Sequence, residues 1–190
     1  LTSFTTTRLS PRVSSTRDKE SQGGSRLGSF LLCIVVVAGG FSLAACSPKI
    51  QGPGPGTVAP SLTAEFFTTP DGRELPIQIW PANLDQPKAL ILGLHGMNDY
   101  ANAFDLPART WAESGITTYA YDQRGFGGSP GRGIWPGTEL MVQDVVTLST
   151  LLRERHPGTP LFLAGISMGG AGAMSALALE EPAPGDGAIL

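Results

Sequence analysis

Ser167 stands between two glycines in "FLAGISMGGAGAM", residues 162–174, where apolar, strand-like residues give way to small helix-formers. A serine at such a junction can act as the nucleophile of acyl transfer, because a tight turn lifts its hydroxyl clear of the chain. A plain glycine turn reads the same way. With 25 glycines in 190 residues, the pentapeptide Gly165-Ile166-Ser167-Met168-Gly169 decides nothing by itself. Nucleophilic catalysis also needs a base, and the chain has two histidines, His95 and His156. Its two cysteines, Cys33 and Cys46, both lie near the N-terminus, so the later residues have no thiols for a disulfide framework or a thiolate metal site. No metal or cofactor is expected. A net charge of −3 with scattered basic residues gives no electrostatic reason to expect a nucleic-acid partner.

The N-terminal residues carry a different signal. Residues 1–26 are rich in Ser, Thr and Arg without apolar periodicity, and they read as a disordered extension or as sequence upstream of a true start near Gly23. Residues 27–46 follow Arg26 with an apolar run that reaches Ala45 and is broken by Gly39, Gly40 and Ser42. It ends in small residues, as a cleavable signal does. Leu43-Ala44-Ala45-Cys46 resembles the bacterial lipobox, which implies cleavage before Cys46 and lipid attachment to its sulfur. An ordinary secretory signal or a membrane anchor with an incidental Cys46 is the alternative. Ser47 after the cysteine resembles the outer-membrane sorting pattern, which implies an envelope lipoprotein facing the periplasm. Residues 47–61, "SPKIQGPGPGTVAPS", read as a Pro/Gly linker holding the domain off a membrane.

Residues 62–190 must then supply the elements that position Ser167. Two β-prone runs flank Pro70-Asp71-Gly72, a hairpin in which Pro presets φ and Gly accepts a positive φ. "KALILGLHG", 88–96, is a continuous apolar run, as expected of a strand buried on both faces. A helix is expected over 100–113, with Ala103, Leu106, Ala108 and Trp111 on one face, although Pro107 weakens it. "GITTYAYD", 115–122, reads as a strand. Thr138 is a plausible N-cap for a helix over 139–156, whose stripe is Met141, Val145, Leu148 and Leu152. A buried strand "TPLFLAGIS" follows, then a helix over 168–180, and "GDGAIL" opens one more strand. This alternation after an opening hairpin predicts an α/β fold with a mostly parallel sheet. Ser167 falls at a strand-to-helix turn, the context that a nucleophile elbow requires.

Three motifs extend this reading: "HGMNDY" at 95–100, "YDQRGFGGSPGRG" at 121–133 and "GISMGG" at 165–170. Together and in this order they resemble the α/β-hydrolase superfamily, within it the monoacylglycerol lipase and lysophospholipase branch. The resemblance implies Ser167 as nucleophile and an oxyanion hole from the backbone N–H groups of Met97 and Met168. It makes His95 and Gly96 structural members of the oxyanion turn, and Gly165 and Gly169 the small neighbours of the elbow. His95 is rejected as base because this fold orders its triad Ser, acid, His. His156 reads as an exposed loop residue. Asp122 and Arg124 brace their loop, and Glu180, Glu181 and Asp186 fall at the wrong end of the sheet for a triad acid.

By the same resemblance the catalytic acid, the histidine and the acyl-selecting cap lie beyond Leu190. The chain is then the N-terminal part of the fold, truncated before the cap and last strands and inactive alone. Two function classes follow. One is a lipid-anchored serine hydrolase acting on small carboxylic esters or lipids, with peroxidase-like and aminopeptidase relatives sharing the motifs. The other is a non-catalytic envelope lipoprotein with a truncated hydrolase-like domain.

Overall fold

The computed structural model describes residues 49–190. The expected extension at 1–26, the signal at 27–46 with Cys46, and the first two linker residues lie outside the described residues.

Seven strands occur among the described residues: β1 (Ser61–Leu62), β2 (Phe66–Thr68), β3 (Glu74–Trp80), β4 (Ala89–Leu94), β5 (Ile116–Tyr121), β6 (Leu161–Gly165) and β7 (Gly187–Ile189). They share one sheet in the order β1-β2-β3-β5-β4-β6-β7. The first three are antiparallel, with Phe67 opposite Leu75, and β3 also runs antiparallel to β5. β5, β4, β6 and β7 are parallel. The hairpin turn is the one expected at Pro70-Asp71-Gly72, with Gly72 at φ 78 and Thr69 N–H donating to Arg73 O at 2.9 Å.

Alternation along the strands assigns the two faces. Leu90, Leu92 and Leu94 of β4, Tyr119 and Tyr121 of β5, and Leu161 and Leu163 of β6 join one core. Ile91, Ala120 and Ala164 join the other. The first core is covered by α2 (Thr138–Arg155), whose Met141, Val145, Leu148 and Leu152 are all buried as the stripe predicts, and by α3 (Met168–Leu177). The second is covered by a 3-10 turn (Ala101–Phe104) and α1 (Asp105–Glu113). Gly93 has a packing reason. A Cβ there would stand 2.8 Å from the Phe104 ring, which needs that space to lie on the sheet.

Four local expectations are corrected. Thr138 is the first helical residue of α2; Gly137, at φ 91, occupies the N-cap and no side chain caps the helix. The helix expected over 100–113 begins as a 3-10 turn, and Pro107 is tolerated because it falls in the first turn of α1, where an N–H has no intrahelical acceptor. Its buried face is Phe104, Ala108 and Ala112, while Leu106 is 78% exposed. α3 ends at Leu177 rather than 180, before the turn that leads into β7. Residues 50–58, read as part of a free linker, make hydrogen bonds to the hairpin turn and to the loop before α2. Buried polar partners, rather than an apolar core, hold this segment.

Candidate active site

Ser167 lies between β6 and α3 with φ 53 and ψ −110, and it is exposed. A non-glycine residue at positive φ is uncommon, and strain of this kind persists only where the surroundings over-determine it. Here they do. Ile166 N–H continues the sheet ladder to Leu94 O at 3.0 Å, and Gly169 N–H closes the turn on Ile166 O at 2.9 Å. The two flanking glycines are obligatory in this packing. A Cβ on Gly169 would overlap the Leu94 carbonyl and stand 2.8 Å from His95 O. One on Gly165 would stand 2.5 Å from Gly170 N and 2.6 Å from the Gly169 carbonyl carbon. β6, α3 and the end of β4 therefore meet through backbone alone, leaving the serine side chain outside the contact.

The loop after β4 arrives beside this turn. A Cβ on Gly96 would lie 3.5 Å from Ile166 O and 3.8 Å from the Ser167 Cβ. Residues Gly96–Asp99 form a tight turn, closed by Asp99 N–H on Gly96 O at 3.3 Å, with Asn98 at φ 62. Met97 is in that turn with its side chain 60% exposed, and Met168 is the first residue of α3. The first N–H groups of a helix have no intrahelical acceptor and carry the positive end of its dipole. The structure thus gathers Ser167, Gly96, Met97, Met168, Gly165 and Gly169 at the C-terminal ends of β4 and β6. Cys46 lies outside the described residues.

His95 is fully buried and both its ring nitrogens are engaged. Nε2 is 3.0 Å from Gln123 N, and since that backbone N–H can only donate, Nε2 accepts and the proton sits on Nδ1. Nδ1 then donates to Gly96 O at 2.8 Å. Burial pulls the imidazole pKa down, so the ring is neutral. It has no lone pair left to receive a serine proton. Gln123, which sequence reasoning passed over, also donates its side-chain amide to His95 O at 2.8 Å. The signal was adjacency: β4 and β5 are parallel neighbours, so the residues following each strand meet.

His156 departs from the expectation of an exposed loop residue. It is half-buried at the C-terminal end of α2, with Nε2 2.8 Å from the Tyr119 hydroxyl. It precedes β6, whereas Ser167 follows it, so the two lie at opposite ends of the strand. Asp186 stays at that far end too, accepting the Leu161 N–H at 2.7 Å and pairing with Arg153 at 2.5 Å.

The loop after β5 is braced from within. Asp122 accepts the Ala101 N–H at 2.8 Å and the Gly128 N–H at 2.7 Å. Ser129 is buried, with Oγ within 3.0 Å of Gln123 O and 2.7 Å of Phe126 O, so its hydroxyl is occupied. Arg124 is fully buried between two carboxylates. It contacts Asp144 at 2.6 and 2.9 Å and Asp71 at 2.7 and 2.7 Å. Arg124 holds the Asp71 carboxyl well below the usual carboxylate range, helped by the Thr69 hydroxyl and the Gly54 N–H. Burial raises Asp144 to about 6 against the pull of Arg124. Neither aspartate was singled out in the sequence as a partner of Arg124. Asp144 gave a signal, since it falls on the apolar stripe of α2 three residues after Met141.

A family model described as serine aminopeptidase, S33, matches residues 85–190. The chain belongs to that family. As an S33 chain it carries the mostly parallel sheet of the α/β-hydrolase fold, resembling the monoglyceride lipase branch. Human monoglyceride lipase is 33% identical over 121 residues, which span 63% of this chain and 39% of that protein. The monoacylglycerol lipase of Mycolicibacterium smegmatis is 27% identical over 137 residues, spanning 66% of this chain and 49% of that one. Among solved structures, a soluble variant of monoglyceride lipase from Saccharomyces cerevisiae, in complex with a substrate analog, superposes with a TM-score of 0.50 at 25% identity. That match covers 68% of this chain and 44% of the yeast chain. A thermostable carboxyl esterase from Bacillus coagulans shares the fold with a TM-score of 0.57 at 24% identity, over 70% of this chain and 44% of the esterase. The S33 chain therefore spans less than half the length of each of these proteins.

Proposed function

We propose that the protein is a hydrolase of small carboxylic or lipid esters, of the monoacylglycerol lipase and lysophospholipase kind, acting through an acyl-enzyme on Ser167. The observation that carries this is the Ser167 turn: a strained serine held at φ 53 between glycines that admit no side chain, beside the Gly96–Asp99 turn. In this reading Ser167 Oγ loses its proton to a base as it attacks the ester carbonyl carbon. The carbonyl oxygen takes the displaced electron pair and is held by the N–H groups of Met97 and Met168. Collapse expels the alcohol, which takes the proton from the base, and water then releases the acid by the reverse route. Each oxyanion donor is worth about 2.7–4 kcal/mol to such a step.

The base in this proposal is neither His95 nor His156, because the first has both nitrogens engaged and the second lies at the opposite end of β6. It comes from outside these 190 residues. The 190-residue chain alone is then close to inactive, since loss of a triad member leaves only weak residual catalysis. That same engagement of both histidines favours a second reading for this chain by itself, a non-catalytic envelope lipoprotein. The apolar run and Cys46 support bacterial envelope localisation through a lipid anchor. A fluorophosphonate probe applied to envelopes of the source cells separates the two readings. Labelling of the Ser167 peptide, lost in Ser167→Ala, is the expected result. Unlabelled Ser167 beside labelled control hydrolases refutes the enzyme reading.

A further inference from the structure

The Pro/Gly stretch before β1 is stitched to the domain at two places. At the hairpin, Arg73 donates to Gly52 O and Pro53 O at 3.2 and 3.3 Å, the Asp71 carboxylate accepts the Gly54 N–H, and Val58 N–H reaches Pro70 O at 3.0 Å. At the loop after β5 the attachment is Gln51. Its N–H donates to Trp135 O at 2.8 Å, and its buried side-chain amide donates to Pro130 O at 2.8 Å. Pro130 O can only accept, which turns Nε2 rather than Oε1 toward it. Gly131, at φ 74, leaves the space, since a Cβ there would overlap the Gln51 amide nitrogen. Gln51 thus clamps the two limbs of that loop, one at Pro130 and one at Trp135.

From that clamp a run of contacts leads to the loop after β4. Ser129, next to Pro130, has its hydroxyl 3.0 Å from Gln123 O, and Phe126 N–H donates to the same oxygen at 3.0 Å. The other limb closes through Gly133 N–H on Gly125 O at 2.8 Å. Along it the Trp135, Phe126 and His95 rings meet edge to face, at 6.5 and 5.8 Å between successive centroids. Gln123 N–H then donates to His95 Nε2, which leaves the ring proton on Nδ1, facing Gly96 O. Gly96 C=O and Met97 N–H belong to one planar peptide unit and point opposite ways. Holding the oxygen therefore aims the N–H. In the other tautomer Nδ1 would present a lone pair to Gly96 O, and the two would repel. We infer that Gln51 is a positioning residue for the oxyanion turn, acting through the loop after β5, Gln123 and the His95 tautomer on the Met97 N–H. This rests on the reading of Met97 as an oxyanion donor to Ser167. Gln51, Gln123, Ser129 and His95 are all buried by residues 49–190 themselves.

The test labels the histidine rings of the full chain with nitrogen-15 and reads them by magic-angle-spinning NMR, which tolerates self-association. Two histidines give two sets of signals, and His156→Gln assigns them. Wild type should show His95 in the Nδ1–H form alone. Gln51→Met, which keeps the length and loses the donor, should show both tautomers. Ile50→Ala, one residue away at a side chain 63% exposed, should match wild type. Gln51→Glu separates donation from bulk, and it serves where the Met variant fails to fold. Its protonated acid can donate to Pro130 O and its carboxylate cannot. Burial raises that acid above its usual value of about 4.3, so the wild-type signal should hold near about pH 5 and be lost near about pH 8. In envelopes of the source cells, a fluorophosphonate should label Ser167 about 10- to 100-fold more slowly in Gln51→Met. A His95 signal like that of wild type in Gln51→Met, or in Gln51→Glu at both pH values, overturns the inference. Labelling of Gln51→Met at the wild-type rate overturns it as well. If wild-type Ser167 takes no label while control hydrolases do, the enzyme reading fails and the inference falls with it.

Discussion

Gly169 and Gly172 stand three residues apart in the same helix, and their surroundings could hardly differ more. A Cβ on Gly169 runs into the Leu94 carbonyl, whereas nothing lies within 4 Å of one on Gly172. Helix interiors favour Ala over Gly by roughly 0.5–1 kcal/mol. Gly172→Ala should therefore raise the urea midpoint by a few tenths molar. Gly169→Ala forces backbone apart between β4 and α3 and should destabilise by about 3 kcal/mol or more, the upper end of overpacking costs. Urea titrations of both variants at low protein concentration read the difference. Equal midpoints would mean that the elbow packing described for Gly169 is wrong.

Between elements, the Arg124 network ties the hairpin turn to α2 and the loop after β5. Arg124→Met strands the buried Asp144 carboxylate and should cost about 3–5 kcal/mol. Adding Asp144→Leu removes the orphaned charge and should recover most of that loss, because apolar replacements of buried ion pairs are often neutral. The partly buried Asp71, 19% exposed, retains the Thr69 hydroxyl and the Gly54 N–H. Recovery of less than a third in the double variant argues against charge burial as the source. The network also sets a pH dependence. Asp144 has a folded pKa of about 6, above its unfolded value, so the native state binds the proton more tightly. It lowers stability above pH 6, and the penalty disappears as pH falls toward 4. Asp71 is shifted the other way and contributes stability above pH 4 that is lost on further acidification. Stability should thus rise as pH falls from about 6 to about 4 and then drop on further acidification. Asp144→Asn should flatten the upper limb alone, as thermal melts across that range would reveal.

At the scale of the whole molecule, β7 has β6 as its sole neighbour among the described residues, and Ile189 and Leu190 at its end are 49% and 70% exposed. Met174 and Leu179 on the adjoining α3 side are exposed as well. An uncovered parallel edge beside apolar side chains is a template for association. The 190-residue chain should self-associate at micromolar concentrations, with Ile189→Lys shifting it toward monomer. Sedimentation velocity that shows wild-type monomer over that range contradicts this.

Much of the site's location was legible in the sequence. The apolar run at 88–94, the β-branched run at 115–122 and the stripe at 141, 145, 148 and 152 determined the strands and α2, because burial imposes periods of two and 3.6 on any chain that folds this way. Gly165 and Gly169 marked a turn without room for side chains, and the motif at 95–100 pointed to a loop that meets it. The tertiary structure decided what depends on partners distant in sequence. Only the pairing of β4 with β5 brings Gln123 onto His95, fixing its tautomer and excluding it as base. Only the folded hairpin carries Asp71 to Arg124, 53 residues away. Composition made 47–61 look like a free tether, since Pro and Gly build no core. Its hydrogen bonds to Trp135, Pro130 and the Asp71 turn exist only once the hairpin and the loop before α2 have been folded side by side.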